Sequence, residues 1–155
     1  MEIETFEKTL AAHPFFDNLD AAHLATIVSC TTNVKFEAGE FIIREGTPAD
    51  RFYVLRHGKI GVEVFVQGRG AVRLETLEAG EVLGWSWLFP PYKAHFDARA
   101  LTLVRALALD GACLRGKCEA DPALGYQLIK RFAPILIQRL DAARMQLMDL
   151  YGSQP

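Results

Sequence analysis

The residue types that carry out chemistry are thinly and irregularly spread along this chain. Four histidines, His13, His23, His57 and His95, are scattered, and His57-Gly58-Lys59 lacks the second imidazole of a His-x-His pair. A metal held by several imidazoles and a carboxylate is therefore not expected, and each histidine reads as a surface or boundary residue. Three cysteines, Cys30, Cys113 and Cys118, are an odd number and make no disulfide framework. Cys113 and Cys118, spaced C-x4-C on a helix, point in different directions, and an iron–sulfur cluster needs four ligands. All three read as reduced, small apolar filler. Gly84-Trp85-Ser86-Trp87-Leu88 offers the serine of a Gly-x-Ser-x-Gly nucleophile elbow, but Leu88 stands where close helix approach needs glycine. Ser86 reads instead as the cap of a short helix. With no nucleophile–base pair visible, no cofactor and no metal are expected, and the chain is not expected to be an enzyme.

The elements that must position these residues fall into three textures. Residues 1–30 have helical spacing, with Phe6 and Leu10, then Leu24, Ile27 and Val28. His13-Pro14 breaks the first helix, and Asn18 or Asp20 is placed to cap the second. Residues 31–110 change period: Phe41-Ile-Ile-Arg, Phe52-Tyr-Val-Leu and Ile60-Gly-Val-Glu-Val-Phe-Val are β-branched and aromatic runs, with Val62, Val64 and Val66 alternating on one face. Eight of the twelve glycines lie between Gly39 and Gly84, a density that suits tight turns, and Gln67-Gly-Arg-Gly reads as a hairpin tip. Residues 111–152 return to helix, with a break at Asp121-Pro122, where Asp121 caps and Pro122 enters the first turn. Phe36-Glu-Ala-Gly-Glu-Phe-Ile recurs as Leu77-Glu-Ala-Gly-Glu-Val-Leu. A turn repeated after several strands predicts two stacked halves of a jelly-roll-like β-roll, or double-stranded β-helix, mainly β with flanking helices.

The last helix carries its own regularity. Tyr126, Ile129, Ala133, Leu136, Leu140, Ala143, Leu147 and Leu150 advance by three and four, an a/d seam over about 37 Å of helix. Leu128, Phe132 and Ile135 form a second stripe on another side. One face is expected to dock on the roll and the other to meet a partner helix in a parallel homodimer. Arg139, Arg144, Asp141 and Asp149 read as solvated flanks.

Phe36-x-x-Gly39-Glu40-x-Ile42-x-x-Glu45-Gly46, Phe52-Tyr-Val-Leu-x-x-Gly58-Lys59-Ile60 and Leu77-x-x-Gly80-Glu81-x-Leu83-Gly84 together resemble the cyclic-nucleotide-binding domain, the family of CRP/FNR sensors and protein kinase A regulatory subunits. The resemblance covers roughly residues 10 to 150 and implies a leading helix, an eight-strand roll and a long closing helix. Family members that bind cyclic nucleotides carry a cassette Gly-Glu-x-Phe-Gly-Glu-x-x-Leu followed by Pro-Arg-x-Ala, whose second Glu takes the ribose hydroxyl and whose Arg pairs with the phosphate. Here the cassette reads Gly80-Glu81-Val82-Leu83-Gly84-Trp85-Ser86-Trp87-Leu88, with Trp85 in place of the carboxylate and Ala94 in place of the Arg. The resemblance thus implies a degenerate site that does not take cAMP or cGMP in the usual way, because a buried phosphate without a charged partner is costly. Lys93 or His95, flanking Ala94, is a substitute cation, with the backbone of Gly84 to Ser86 as further donors. Strand alternation lets only one of an adjacent pair face a pocket, and Arg99 is a weaker substitute. Trp85, Trp87, Phe89, Tyr92 and Phe96 either fill the vacated cavity or stack on a different planar ligand, and both readings stand.

The 155 residues suit one domain, with N-terminal helices over 1–30, the β-roll over 31–110 and C-terminal helices over 111–152. Seventeen Lys and Arg against nineteen Asp and Glu leave a net charge of −2, so no nucleic-acid partner is expected. No DNA-binding domain is expected either, since a helix-turn-helix would follow the long helix and the sequence stops at Pro155. The N-terminus is acidic where a secretory signal is basic, and no apolar run nears the roughly 20 residues that span a bilayer. A cytoplasmic regulatory module follows, homodimeric, with a protein partner or an unidentified small ligand as its input or output.

Overall fold

The computed structural model describes residues 2–152, with side chains over 6–149. Helix α1 (Glu2–Ala12) ends ahead of Pro14, which opens a short 3-10 turn over Pro14–Phe16. Helix α2 (Ala21–Val28) is capped by Asp20, whose carboxylate accepts from the His23 N–H at 2.7 Å. Eight strands follow: β1 (Thr31–Phe36), β2 (Phe41–Ile43), β3 (Arg51–His57), β4 (Ile60–Val66), β5 (Gly70–Leu77), β6 (Val82–Leu83), β7 (Asp97–Ala100) and β8 (Val104–Asp110). They form two antiparallel four-stranded sheets, in the orders β1-β8-β3-β6 and β2-β7-β4-β5. Helices α3 (Gly111–Ala120) and α4 (Pro122–Gly152) close the chain, the latter with Asp121 accepting from the N–H groups of Ala123 and Leu124. The fold is the expected eight-strand roll between flanking helices.

Alternation on β3 and β8 explains why both read as continuous apolar runs. Tyr53 and Leu55 face the roll interior with Ile60, Val62, Ala98, Val104, Ala106 and Ala108. Phe52, Val54, Leu107 and Leu109 face the opposite way and meet Leu10, Phe16, Ile27, Leu114, Leu124, Leu128 and Phe132 from the helices. These strands have no wet face, because one sheet is covered on both sides.

The repeated Glu-Ala-Gly-Glu segments make the same turn. Gly39 and Gly80 both have positive φ, +93° and +94°, and Glu40 and Glu81 each donate back to the Glu three residues earlier at 3.1 Å. Each turn docks on one residue of another strand: Gly39 and Glu40 exchange bonds with Ala100, and Gly80 and Glu81 exchange bonds with Leu55. The tip at Gln67–Gly70 is also as expected, with Gly68 and Gly70 at positive φ between β4 and β5.

Three expectations are corrected. His13 is buried, at 7% exposure, its Nδ1 accepting from the Phe15 N–H at 3.2 Å. Arg139 is also buried: its Nε donates to Glu75 on β5 at 2.7 Å, so it is a docking residue of α4 and not a solvated flank. Cys30 and Cys113 are joined in a disulfide, which leaves Cys118 as the free thiol. The antiparallel register Thr31↔Leu109, carried one step further, sets Cys30 beside Asp110, whose N–H donates to the Cys30 carbonyl. The first turn of α3 then lays Cys113 over Cys30, across a sequence separation of 83 that no local spacing reveals.

Candidate functional site

A cleft of about 350 Å³ opens between β2, the loop from Thr47 to Arg51, the end of β6 and the segment leading into β7. Ile42, Ile43, Tyr53, Ala94 and Phe96 give it an apolar floor, and Arg44, Thr47, Asp50, Arg51 and Ser86 give it a polar rim. The two walls are tied by main-chain bonds, Ala94 N–H to the Thr47 carbonyl and Gly46 N–H to the Ala94 carbonyl, both 2.9 Å. Gly84 has φ +97°, and a Cβ there would lie 3.3 Å from the Arg51 carbonyl oxygen, so the turn out of β6 requires glycine.

The cassette aromatics part company at this turn. Trp87 is fully buried on the helix side, stacked on Phe52 at 5.1 Å and edge-on to Phe132 at 5.8 Å. Truncating such a residue generally costs about 3–5 kcal/mol, so Trp87 is core. Trp85 packs against both hydrophobic clusters and stacks on His95, with ring centroids 4.8 Å apart. Its indole Nε1 and that of Trp87 are buried without a hydrogen-bond partner among the described residues. Ser86 does not cap the short 3-10 helix Ser86–Leu88; its hydroxyl lies 2.9 Å from His95 Nδ1 instead.

The structure gathers only part of the expected site. Gly84, Ser86 and Ala94 line the cleft, and Ala94 is buried there at 7% exposure. Lys93 and His95, on either side of it, are exposed and are not among the lining residues, as alternation requires. Arg99 is occupied elsewhere, 3.2 Å from Glu63. Gly80 and Glu81 line a groove beside α4, with Glu75, Ile135 and Arg139. Burial, reinforced by the charges of Glu75 and Glu78, pushes the Glu81 carboxyl above its ordinary value despite Arg139. Leu83 is fully buried and belongs to the roll interior.

Sequence reasoning missed the rim cations Arg44 and Arg51, and Tyr53 below them. Arg44 lies over the Phe41 ring at 3.9 Å, and burial raises the Tyr53 pKa, with Arg51 opposing, so its phenol stays protonated at neutral pH. The only local signal is the turn-rich stretch Glu45-Gly46-Thr47-Pro48, flanked by arginines. Its place opposite Ala94 comes from the pairing of Pro48 with Lys93, which is long-range. Among the described residues no cluster of His, Cys, Asp or Glu is arranged to hold a metal, and no helix is long and apolar enough to cross a membrane.

The family model of the cyclic nucleotide-binding domain matches residues 33–121, more than half of the sequence. The chain belongs to that family. It is similar to a CRP-like cAMP-activated global transcriptional regulator of Mycobacterium tuberculosis, 25% identical over 144 residues that cover 93% of this chain and 62% of the regulator. It is also similar to glutaminase 2 of Bradyrhizobium diazoefficiens, 28% identical over 86% of this chain but only 21% of that enzyme. A solved structure from Geobacter metallireducens GS-15, named for the same family, superposes with a TM-score of 0.77 at 28% identity, over 86% of this chain and 97% of that one. The chain therefore spans less than two thirds of the length of these curated relatives, and it is itself a cyclic-nucleotide-binding-like regulatory domain.

Proposed function

We propose that this chain is a non-enzymatic regulatory module that does not take cAMP or cGMP in the family's usual way and that acts as a homodimer joined along α4. The observation that carries the first part is Ala94. The position aligned with the phosphate-pairing Arg is a methyl group on the cleft floor, while Trp85 holds the ribose-binding position and stacks outward on His95. A cyclic phosphate seated there would leave water without the paired Arg that the family's cassette supplies at that position. The dimer reading rests on the two faces of α4. Leu124, Leu128 and Phe132 are buried against the roll, whereas Tyr126, Ile129, Leu140 and Leu147 are 46–61% exposed along the other side. Ala133 and Ala143 are exposed and Leu136 half-buried on the same seam; the side chain of Leu150 lies outside the described residues.

A second reading is favoured by the cleft itself: the module senses another small ligand, planar and carrying an anionic group. Ser86, the Tyr53 phenol and the backbone around Gly84 supply donors. Arg44 and Arg51 on the rim take the cationic role that the sequence assigned to Lys93 or His95.

Thermal shift separates these readings. The native protein is expected to show no rise in Tm with 1 mM cAMP or cGMP, and an Ala94→Arg variant is expected to gain one of a few degrees with cAMP. A clear rise in the native protein would sink the first reading. A rise with a different anionic planar compound, abolished in an Arg44→Ala, Arg51→Ala double variant, would favour the second.

A further inference from the structure

We propose that Cys30 and Cys113 are a redox-exchangeable pair, a dithiol–disulfide modification site whose oxidised form clamps α3 to the start of β1. Their Cα atoms are 5.8 Å apart, within the span that a disulfide bridges without backbone movement. Bonds other than the disulfide also bring the two together: Asp110 N–H donates to the Cys30 carbonyl at 2.9 Å, and the Asp110 carboxylate accepts from the Cys113 N–H at 2.9 Å. A reduced pair thus stays poised to close again.

The two sulfurs differ in access. Cys30 is 5% exposed, while Cys113 is only partly buried, so an incoming thiolate reaches the Cys113 sulfur first. Attack there forms a mixed disulfide on Cys113 and expels the Cys30 thiolate, which takes a proton. A second thiol then attacks the mixed disulfide, releasing the Cys113 thiol and the oxidised small disulfide. Overall, one protein disulfide and two small-molecule thiols give two protein thiols and one small disulfide, a two-electron, two-proton exchange with a couple of the glutathione class.

The clamp sits where it reaches both the cleft and the closing helix. Gly111, the first residue of α3, donates its N–H to the carbonyl of Asp50 on the cleft rim at 2.7 Å, and a Cβ at that glycine would meet the Trp87 Cβ at 2.8 Å. Arg115, one turn on, donates to the Trp87 carbonyl. Only Asp121 separates α3 from α4. The oxidation state of the pair therefore sets how firmly the cassette, the rim and the root of the long helix are held together, in contrast to the inert filler expected of these cysteines.

The native chain carries its own internal control in Cys118. Protein is equilibrated without denaturant in glutathione buffers from fully oxidised to fully reduced, then quenched with N-ethylmaleimide in denaturant so that the buried Cys30 thiol also reacts, and its adducts are counted by intact mass. The expected result is one adduct at the oxidised end and three at the reduced end, in a single two-electron transition. Hydrogen exchange on the same samples is expected to be at least tenfold faster across α3 after reduction. Three adducts at the oxidised end, one adduct throughout the reducing range, or equal α3 protection in both forms would each overturn the proposal. Because one polypeptide is read in both states, the outcome does not hang on whether a variant folds.

Discussion

His13 can accept the Phe15 N–H through Nδ1 only while that nitrogen is unprotonated, and this single bond caps the turn that sets Phe15 and Phe16 into the helix-side core. Burial holds its pKa below the ordinary 6.5. Between the folded pKa and 6.5 the unfolded chain binds more protons, so stability rises with pH through that window and is lost as the pH falls through it. The native Tm is expected to drop from pH 7.5 to pH 5.5 more steeply than that of a His13→Gln variant, whose amide oxygen accepts without titrating. Equal slopes in paired thermal melts would remove His13 from the account. Ala94 and Trp85 could be singled out from the sequence because the family resemblance sets fixed motif positions against which to read them. The separation of Trp85 from Trp87 could not be, since it depends on a left-handed glycine and on which of two cores lies on each side. His13 looked like a boundary residue for the same reason: its neighbours come from elsewhere in the chain.

Helix α4 is held by a line of residues that begins apolar and ends polar. Leu124, Leu128 and Phe132 enter the core, then Arg139 reaches Glu75 and the Val82 carbonyl, and Gln146 donates to the Arg73 carbonyl. The guanidinium also lies 5.0 Å from the centre of the Phe96 ring, a residue of the cleft floor, so α4 touches that floor through one side chain. Glu75 is 21% exposed, which limits the cost of stranding it. Arg139→Ala is therefore expected to lose about 2 kcal/mol in urea unfolding, and Arg139→Met, which keeps the apolar stem, distinctly less. Equal losses for the two variants would mean that the ion pair and not the stem anchors the helix. The heptad spacing showed that α4 has two faces and which one is apolar to its far end. It did not show that a charge docks on the roll, because Glu75 lies 64 residues away.

At the scale of the whole molecule, the repeated Glu-Ala-Gly-Glu turns bind Ala100 and Leu55 in the same manner, so the roll closes on itself with equivalent corners, and most of the large exposed apolar side chains among the described residues lie on α4. The repeat made the roll legible from sequence alone, since like turns need like glycines; the cleft was less legible, because its rim comes from a loop paired only in three dimensions. If the uncovered side of α4 is a dimer contact, unfolding also dissociates two chains, and Tm must depend on protein concentration. Each tenfold change shifts the balance by about 1.4 kcal/mol per dimer. Set against the unfolding entropy of two chains of this length, that is a rise of roughly 2 °C per decade. The native protein is expected to follow that slope from 1 to 100 µM, while Leu140→Glu with Leu147→Glu, both on the exposed seam, is expected to show none and to sediment as a monomer with unchanged helix content. A native Tm that ignores concentration, together with a monomeric sedimentation profile, would leave the seam as exposed surface and the module to act as a single chain.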